Sequence, residues 1–92
     1  MHFKFEPQAF ADLQYWVQHE PKLAKKLMRL IEDSVKDPFG GIGKPEPLKG
    51  DLSGWWSKRI DGEHRLIYKV EDNDLIILNA KGHYGDKYQF WG

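Results

Sequence analysis

Six side chains between residues 46 and 84 of this chain carry charge or protons in a pattern that suits phosphodiester chemistry: Glu46, Lys49, Arg59, Arg65, His83 and Tyr84. None of them is a ready nucleophile. The three serines, Ser34, Ser53 and Ser57, stand outside any Gly-x-Ser-x-Gly context, and there is no cysteine. An acid–base set of this kind needs a substrate that brings its own nucleophile, and RNA does so, because its 2′-OH lies beside the scissile phosphate. Cleavage then asks for a base to take the 2′-OH proton, cations to meet the charge building on the phosphate, and an acid for the departing 5′-oxygen. A glutamate is ionised at pH 7 without tuning, and an imidazole at its reference pKa of ~6.5 is roughly a quarter protonated there. Each such proton transfer contributes about 10²–10⁴-fold. An arginine offers preorganised, bidentate charge, and a tyrosine can stack on a base or donate a hydrogen bond.

Residue types alone leave plainer readings standing. A His-Tyr pair after a strand is more often structural, and arginines on strands are often just solvated. Glu46, held between Pro45 and Pro47, sits on a stiffened backbone, yet an exposed carboxylate in a connector is the simpler account of it. The four histidines, His2, His19, His64 and His83, show no metal-ligand spacing, so neither a metal nor another cofactor is expected. The string GGIGK has the look of a phosphate-binding loop. That motif needs Gly where Pro38 stands and Ser or Thr where Pro45 stands, and a strand before it, so it is rejected.

These residues must be positioned by one small domain of 92 residues with a modest core. A hydrophobic fraction of 40% and four tryptophans argue for a folded chain. Fourteen basic and fourteen acidic residues cancel, which argues against a general polyanion binder. The charge is uneven, however: residues 44–70 hold six Lys/Arg against four Asp/Glu. No apolar run is long enough to span a bilayer, the N-terminus lacks a signal-peptide core, and the absence of cysteine fits a reducing cytoplasm.

The organising stretch is a hairpin, Gly54–Val70, with Asp61-Gly62 as its turn. One side can pack Trp, Ile, Leu and Tyr on helices while the other presents cations. A two-residue loop puts Lys58 opposite Arg65; a three-residue loop puts Arg59 there instead, and the sequence leaves both open. Upstream, His2–Phe5 reads as a strand. Pro7 opens a helix with Ala9, Phe10, Leu13, Trp16 and Val17 recurring on one side. Pro21 opens a second with the stripe Leu23, Leu27, Leu30, Ile31 and Val35, ending before Pro38, and its Lys22, Lys25, Lys26 and Arg29 form a solvated face. Residues 38–54 are Gly- and Pro-rich and read as loop. Glu71–Asp74 is a turn, and Leu75–Lys81 is a buried strand. The order β-α-α-β-β-β is an α+β layout: an antiparallel sheet with two helices on one face and the other face open for a substrate. Strand 1 can pair with the last strand or insert beside it.

Four strings, GKPEPLK (43–49), DLSGWWSKRI (51–60), EHRLIYKV (63–70) and AKGHY (80–84), together resemble the YoeB/Txe branch of the RelE superfamily of bacterial toxins. The likeness spans Met1 to Tyr84, with LQYW in the first helix and DPF closing the second. It implies a RelE-like, microbial-RNase-like fold and a metal-independent, ribosome-dependent mRNA interferase of a type II toxin–antitoxin module. It further implies Glu46 as general base, Arg65 as stabiliser of the transition-state phosphate, His83 as general acid and Tyr84 as the residue that positions the substrate. Lys49 and Arg59 match phosphate-holding positions, and Glu63 matches a residue that orients one of these cations. The implied partners are a YefM-like antitoxin of the Phd class, the ribosome with its mRNA, and operator DNA through the antitoxin complex; a homodimer is also open to it. Two rivals stand beside this reading: a ParE-like toxin that poisons gyrase, from which the Glu/Arg/His set would be absent, and a binding-only subunit of a repressor complex. Residues 85–92 extend past the family's usual end and form a C-terminal extension with Tyr88, Phe90 and Trp91. Packing on the sheet, stacking on RNA and disorder are all open to it.

Overall fold

Two prolines start two helices. The computed structural model describes residues 1–82, and there Pro7 and Pro21 stand in the first turns of α1 (Pro7–His19) and α2 (Pro21–Lys36). A missing N–H costs nothing at that position, and the fixed φ suits the helix. α2 ends two residues ahead of Pro38, whose ring disfavours helical backbone in the residue before it. The inward stripe of α2 is as expected, with Leu27, Leu30 and Ile31 buried and Leu23 and Val35 packed at its edge. The stripe of α1 is narrower than the spacing predicts. Phe10 and Val17 are about half exposed, at 52% and 53%, and Asp12 is buried on the inner side instead.

The strands are β1 (His2–Phe5), β2 (Glu46–Pro47), β3 (Trp56–Arg59), β4 (Arg65–Glu71) and β5 (Asp74–Asn79), arranged β1-β5-β4-β3-β2. β1 does pair with the last strand, but in parallel, so the sheet is mixed rather than wholly antiparallel. The reason is the connection: β1 and β5 are joined not by a hairpin but by both helices and three intervening strands, which is long enough to allow a parallel pair. The other three pairings are antiparallel. Between β4 and β5 the turn residues Asp72 and Asn73 both take positive φ, 51° and 64°, as a two-residue primed hairpin turn requires.

Residues 38–54 are more than loop. Glu46 and Pro47 form the edge strand β2, and Gly50–Leu52 forms a 3₁₀ turn. An edge is where Pro47 is tolerated, since it has no N–H to donate. Before it, the GGIGK string does structural work. Gly43 accepts the Arg59 backbone N–H at 2.7 Å, and a Cβ there would come within 2.9 Å of Leu30 and 3.0 Å of the Lys58 Cβ. With φ at +89°, this position takes glycine for both its backbone and its space.

Ala9, Trp16, Ala24, Leu27, Leu30 and Ile31 pack on Leu66, Tyr68, Leu75 and Ile77, which places the main core between the helices and one sheet face. The opposite face is not wholly open. Leu48, Leu52 and Trp55 fold back over Ile67 and Leu78 as a second, smaller cluster. Beside this cluster, the same face carries Glu46, Ser57, Arg59 and Arg65 on β2, β3 and β4.

Candidate functional site

The hairpin register decides what shares a face. Ile60 donates its N–H to the His64 carbonyl at 2.9 Å, closing a three-residue loop, and Arg59 stands opposite Arg65. Asp61 makes the loop this tight. Its Oδ1 accepts the N–H groups of Glu63 at 2.8 Å and His64 at 2.6 Å, an Asx-type turn rather than a two-residue one. Burial, the largest influence, pushes the Asp61 carboxyl up, but these two donors and nearby positive charge outweigh it and hold the group below its ordinary value.

Directly opposed residues in an antiparallel pair share a face, and so do residues two apart on a strand. Glu46 opposes Ser57, Ser57 opposes Ile67, and Arg59 opposes Arg65. Glu46, Arg59 and Arg65 therefore stand on one face, away from the helices. β2 and β4 are two strand spacings apart, roughly 10 Å. Among the described residues neither Glu46, Arg59 nor Arg65 forms an ion pair.

The two arginines differ. Arg65 is 8% exposed, and its Nη1 donates to the carbonyls of Asp61 at 3.1 Å and His64 at 3.3 Å. Its own hairpin loop thus fixes the guanidinium while the rest of the donor fork stays uncommitted to the loop. Arg59 is exposed at the end of β3. It also lines a cleft of about 480 Å³ with Lys26, Arg29 and Lys44 around Leu30 and Ile60, so two cations of the solvated α2 face border the same cleft. Lys49 is exposed just before the 3₁₀ turn, beyond β2. Glu63 is exposed, with its carboxylate 3.9 Å from His64 Nε2. His83, Tyr84 and the extension 85–92 lie outside the described residues.

Lys58 goes the other way. It points to the helix side, fully buried, with Nζ 3.2 Å from the Asp37 carbonyl and 3.6 Å from the Asp33 carboxylate. Asp33 also accepts the Ile42 N–H at 3.0 Å, and the Tyr68 hydroxyl donates to the Pro38 carbonyl. The expectation that the hairpin's cations gather on the side away from the helices fails for this residue: a lysine facing the helices is satisfied by the end of α2.

Sequence reading passed over the groups that tie down residues 80–82. Asp12 Oδ2 accepts the Ala80 N–H and Trp16 Nε1–H donates to the Ala80 carbonyl, both at 2.8 Å. His64 Nδ1 accepts the Gly82 N–H, also at 2.8 Å. One signal was available: Asp12 interrupts the apolar spacing Ala9, Leu13, Trp16 at a position facing the core.

A small mixed sheet with two helices on one face, and with a carboxylate and two guanidinium groups on the other, defines an α+β protein of the RelE-like toxin fold. The sequence and its relatives narrow this further. Residues 5–84 match the family described as YoeB-like toxin of bacterial type II toxin-antitoxin system. Toxin YoeB of Streptomyces coelicolor is 50% identical over 84 residues, covering 91% of this chain and all of that one. Among solved structures, a YoeB/ParE toxin from Agrobacterium tumefaciens is 36% identical with a TM-score of 0.89, over 91% of this chain and all of that one. The toxin in a heterotetrameric YoeB-YefM complex from Staphylococcus aureus is 44% identical with a TM-score of 0.83, over 91% of this chain and 98% of that one. The same organism's toxin was also solved as a YoeB dimer. This chain belongs to the YoeB-like family of type II toxin–antitoxin toxins.

Proposed function

We propose that this toxin is a metal-independent, ribosome-dependent endoribonuclease that cuts translated mRNA in the A site. The observation that carries the reading is the common face of Glu46, Arg59 and Arg65, set by the register of β2, β3 and β4. In this account Glu46 takes the proton from the 2′-OH, whose oxygen attacks the adjacent phosphorus. Arg65 meets the charge growing on the non-bridging oxygens, from a guanidinium already held by its loop. His83 protonates the departing 5′-oxygen, and Tyr84 positions the nucleotide. The products are a 2′,3′-cyclic phosphate and a 5′-hydroxyl. Arg59 and Lys49 hold flanking phosphates, and Glu63 orients one of these cations. Residues 1–84 form the toxin domain, and 85–92 are an extension to it.

A net charge of zero fits an enzyme that borrows the ribosome to present its substrate. A YefM/Phd-like antitoxin neutralises the toxin in the cytoplasm by laying an acidic segment over Arg59, Arg65 and His83. The complex, rather than the toxin alone, contacts operator DNA. The solved YoeB-YefM complex and YoeB dimer of the Staphylococcus aureus relative support an antitoxin partner and self-association here.

In-vitro translation with primer-extension mapping tests the activity. Wild type should cut at A-site codons and leave the same RNA intact without ribosomes, and His83→Ala should abolish the cuts. Translation arrest with intact mRNA would overturn the reading in favour of a binding-only toxin.

A further inference from the structure

The segment 80–82 leads straight into His83 and is tied at both ends. Asp12 and Trp16 hold the two backbone groups of Ala80, each at 2.8 Å. Gly82 is gripped by two consecutive residues of the hairpin. The Arg65 backbone N–H donates to its carbonyl at 3.0 Å, and its own N–H donates to His64 Nδ1 at 2.8 Å. The His64 ring is steadied edge-on by Trp16, with centroids 4.6 Å apart. Because Nδ1 accepts, the neutral ring carries its proton on Nε2, the nitrogen 3.9 Å from Glu63. Gly82 has φ +82°, in the region where glycine is freest, so without such an anchor this peptide has many alternatives.

We infer that His64 is a positioning residue for catalysis: its Nδ1 lone pair fixes the Lys81–Gly82 peptide, one residue before His83, in register with Arg65. The inference rests on His83 being the general acid. Consecutive residues then set both halves of the chemistry. Arg65 supplies the charge at the phosphate, and His64 holds the peptide from which the acid is delivered. A misplacement of about 1 Å at a reacting group costs around 10²-fold in rate, so the anchor acts on the chemical step rather than on affinity.

Two substitutions separate this role from simple packing. His64→Phe keeps a ring against Trp16 and removes the acceptor. His64→Asn removes the ring and keeps an acceptor oxygen near the Nδ1 position. We expect melting temperatures in the order wild type, Phe, Asn. Single-turnover cleavage rates on programmed ribosomes should fall in the order wild type, Asn, Phe, with the Phe variant down about 10²-fold at unchanged half-saturating toxin concentration. Gly82 amide exchange, read by NMR, should be slow in wild type and the Asn variant and fast in the Phe variant. Rates that follow the melting order, or a Phe variant with wild-type rate, overturn the inference while leaving the proposed function intact. A wild type that does not cleave refutes the proposed function instead. In that case a Gly82 amide that exchanges equally fast in wild type and the Phe variant would overturn the anchor as well.

Discussion

Lys58 and Arg59 are adjacent cations on one strand, and they end on opposite faces of the sheet with opposite fates. Lys58 is fully buried against Asp33, the Asp37 carbonyl and Tyr68. Arg59 is exposed beside Arg65 and across from the strand that carries Glu46. The first cation joins β3 to the end of α2, and the second faces solvent. A count of hairpin charges hides this division; only the register reveals it.

The largest effect should come from the exposed face. Glu46→Gln is expected to lower cleavage of translated mRNA by about 10²–10⁴-fold with melting unchanged, since the residue is exposed on an edge strand. A loss of stability instead of rate would erase the contrast between the faces.

Next comes the buried face. Lys58→Ala should cost about 2–4 kcal/mol in urea unfolding, because it removes a buried, paired cation and leaves a void. Lys58→Met keeps the volume and should cost much less. Burial lowers the Lys58 ammonium below the ordinary 10.5, against the upward pull of Asp33 and Asp37. The unfolded chain then keeps a proton that the folded chain sheds, so this group adds stability as pH rises through the window just below 10.5, and Lys58→Met should lose that slope. Tyr68 is pushed upward, chiefly by burial, and acts in the opposite sense above 10.0.

Asp61→Ala removes the one oxygen that accepts both N–H groups of the hairpin turn and should cost about 1–2 kcal/mol by thermal melting. Smallest in stability is Arg59→Ala, within about 0.5 kcal/mol of wild type. Its cleavage should nonetheless fall by about tenfold, as expected for one lost phosphate contact. If Arg59→Ala melts like Lys58→Ala, the two faces are not distinct in the way described.

Much of the fold was legible because single residues dictate it. Pro7, Pro21 and Pro38 mark the helix limits, and the stripe of α2 marks its buried side. Asp61-Gly62 located the hairpin turn. Its loop length was not legible, because it depends on an Asp61 side chain folding back on Glu63 and His64, which two-residue turn statistics do not contain. β2 was missed since a two-residue strand containing Pro47 has no periodicity and exists only through pairing with β3. The parallel pairing of β1 is likewise a tertiary outcome. Of the candidate site, residue identities came from motif strings, whereas the common face of Glu46, Arg59 and Arg65 had to come from pairing. His64 was read only as one of four histidines without metal-ligand spacing, since nothing local announces a hydrogen bond to a residue eighteen positions away.

In the proposed reaction the substrate supplies the nucleophile and the protein supplies only acid, base and charge. A translated mRNA carrying a single 2′-deoxynucleotide immediately 5′ of the mapped cut tests it most directly. Cleavage at that bond should disappear while neighbouring sites are cut as before, and unmodified mRNA should yield a 2′,3′-cyclic phosphate and a 5′-hydroxyl. Cleavage at the deoxy-substituted bond, or a 5′-phosphate product, would contradict it.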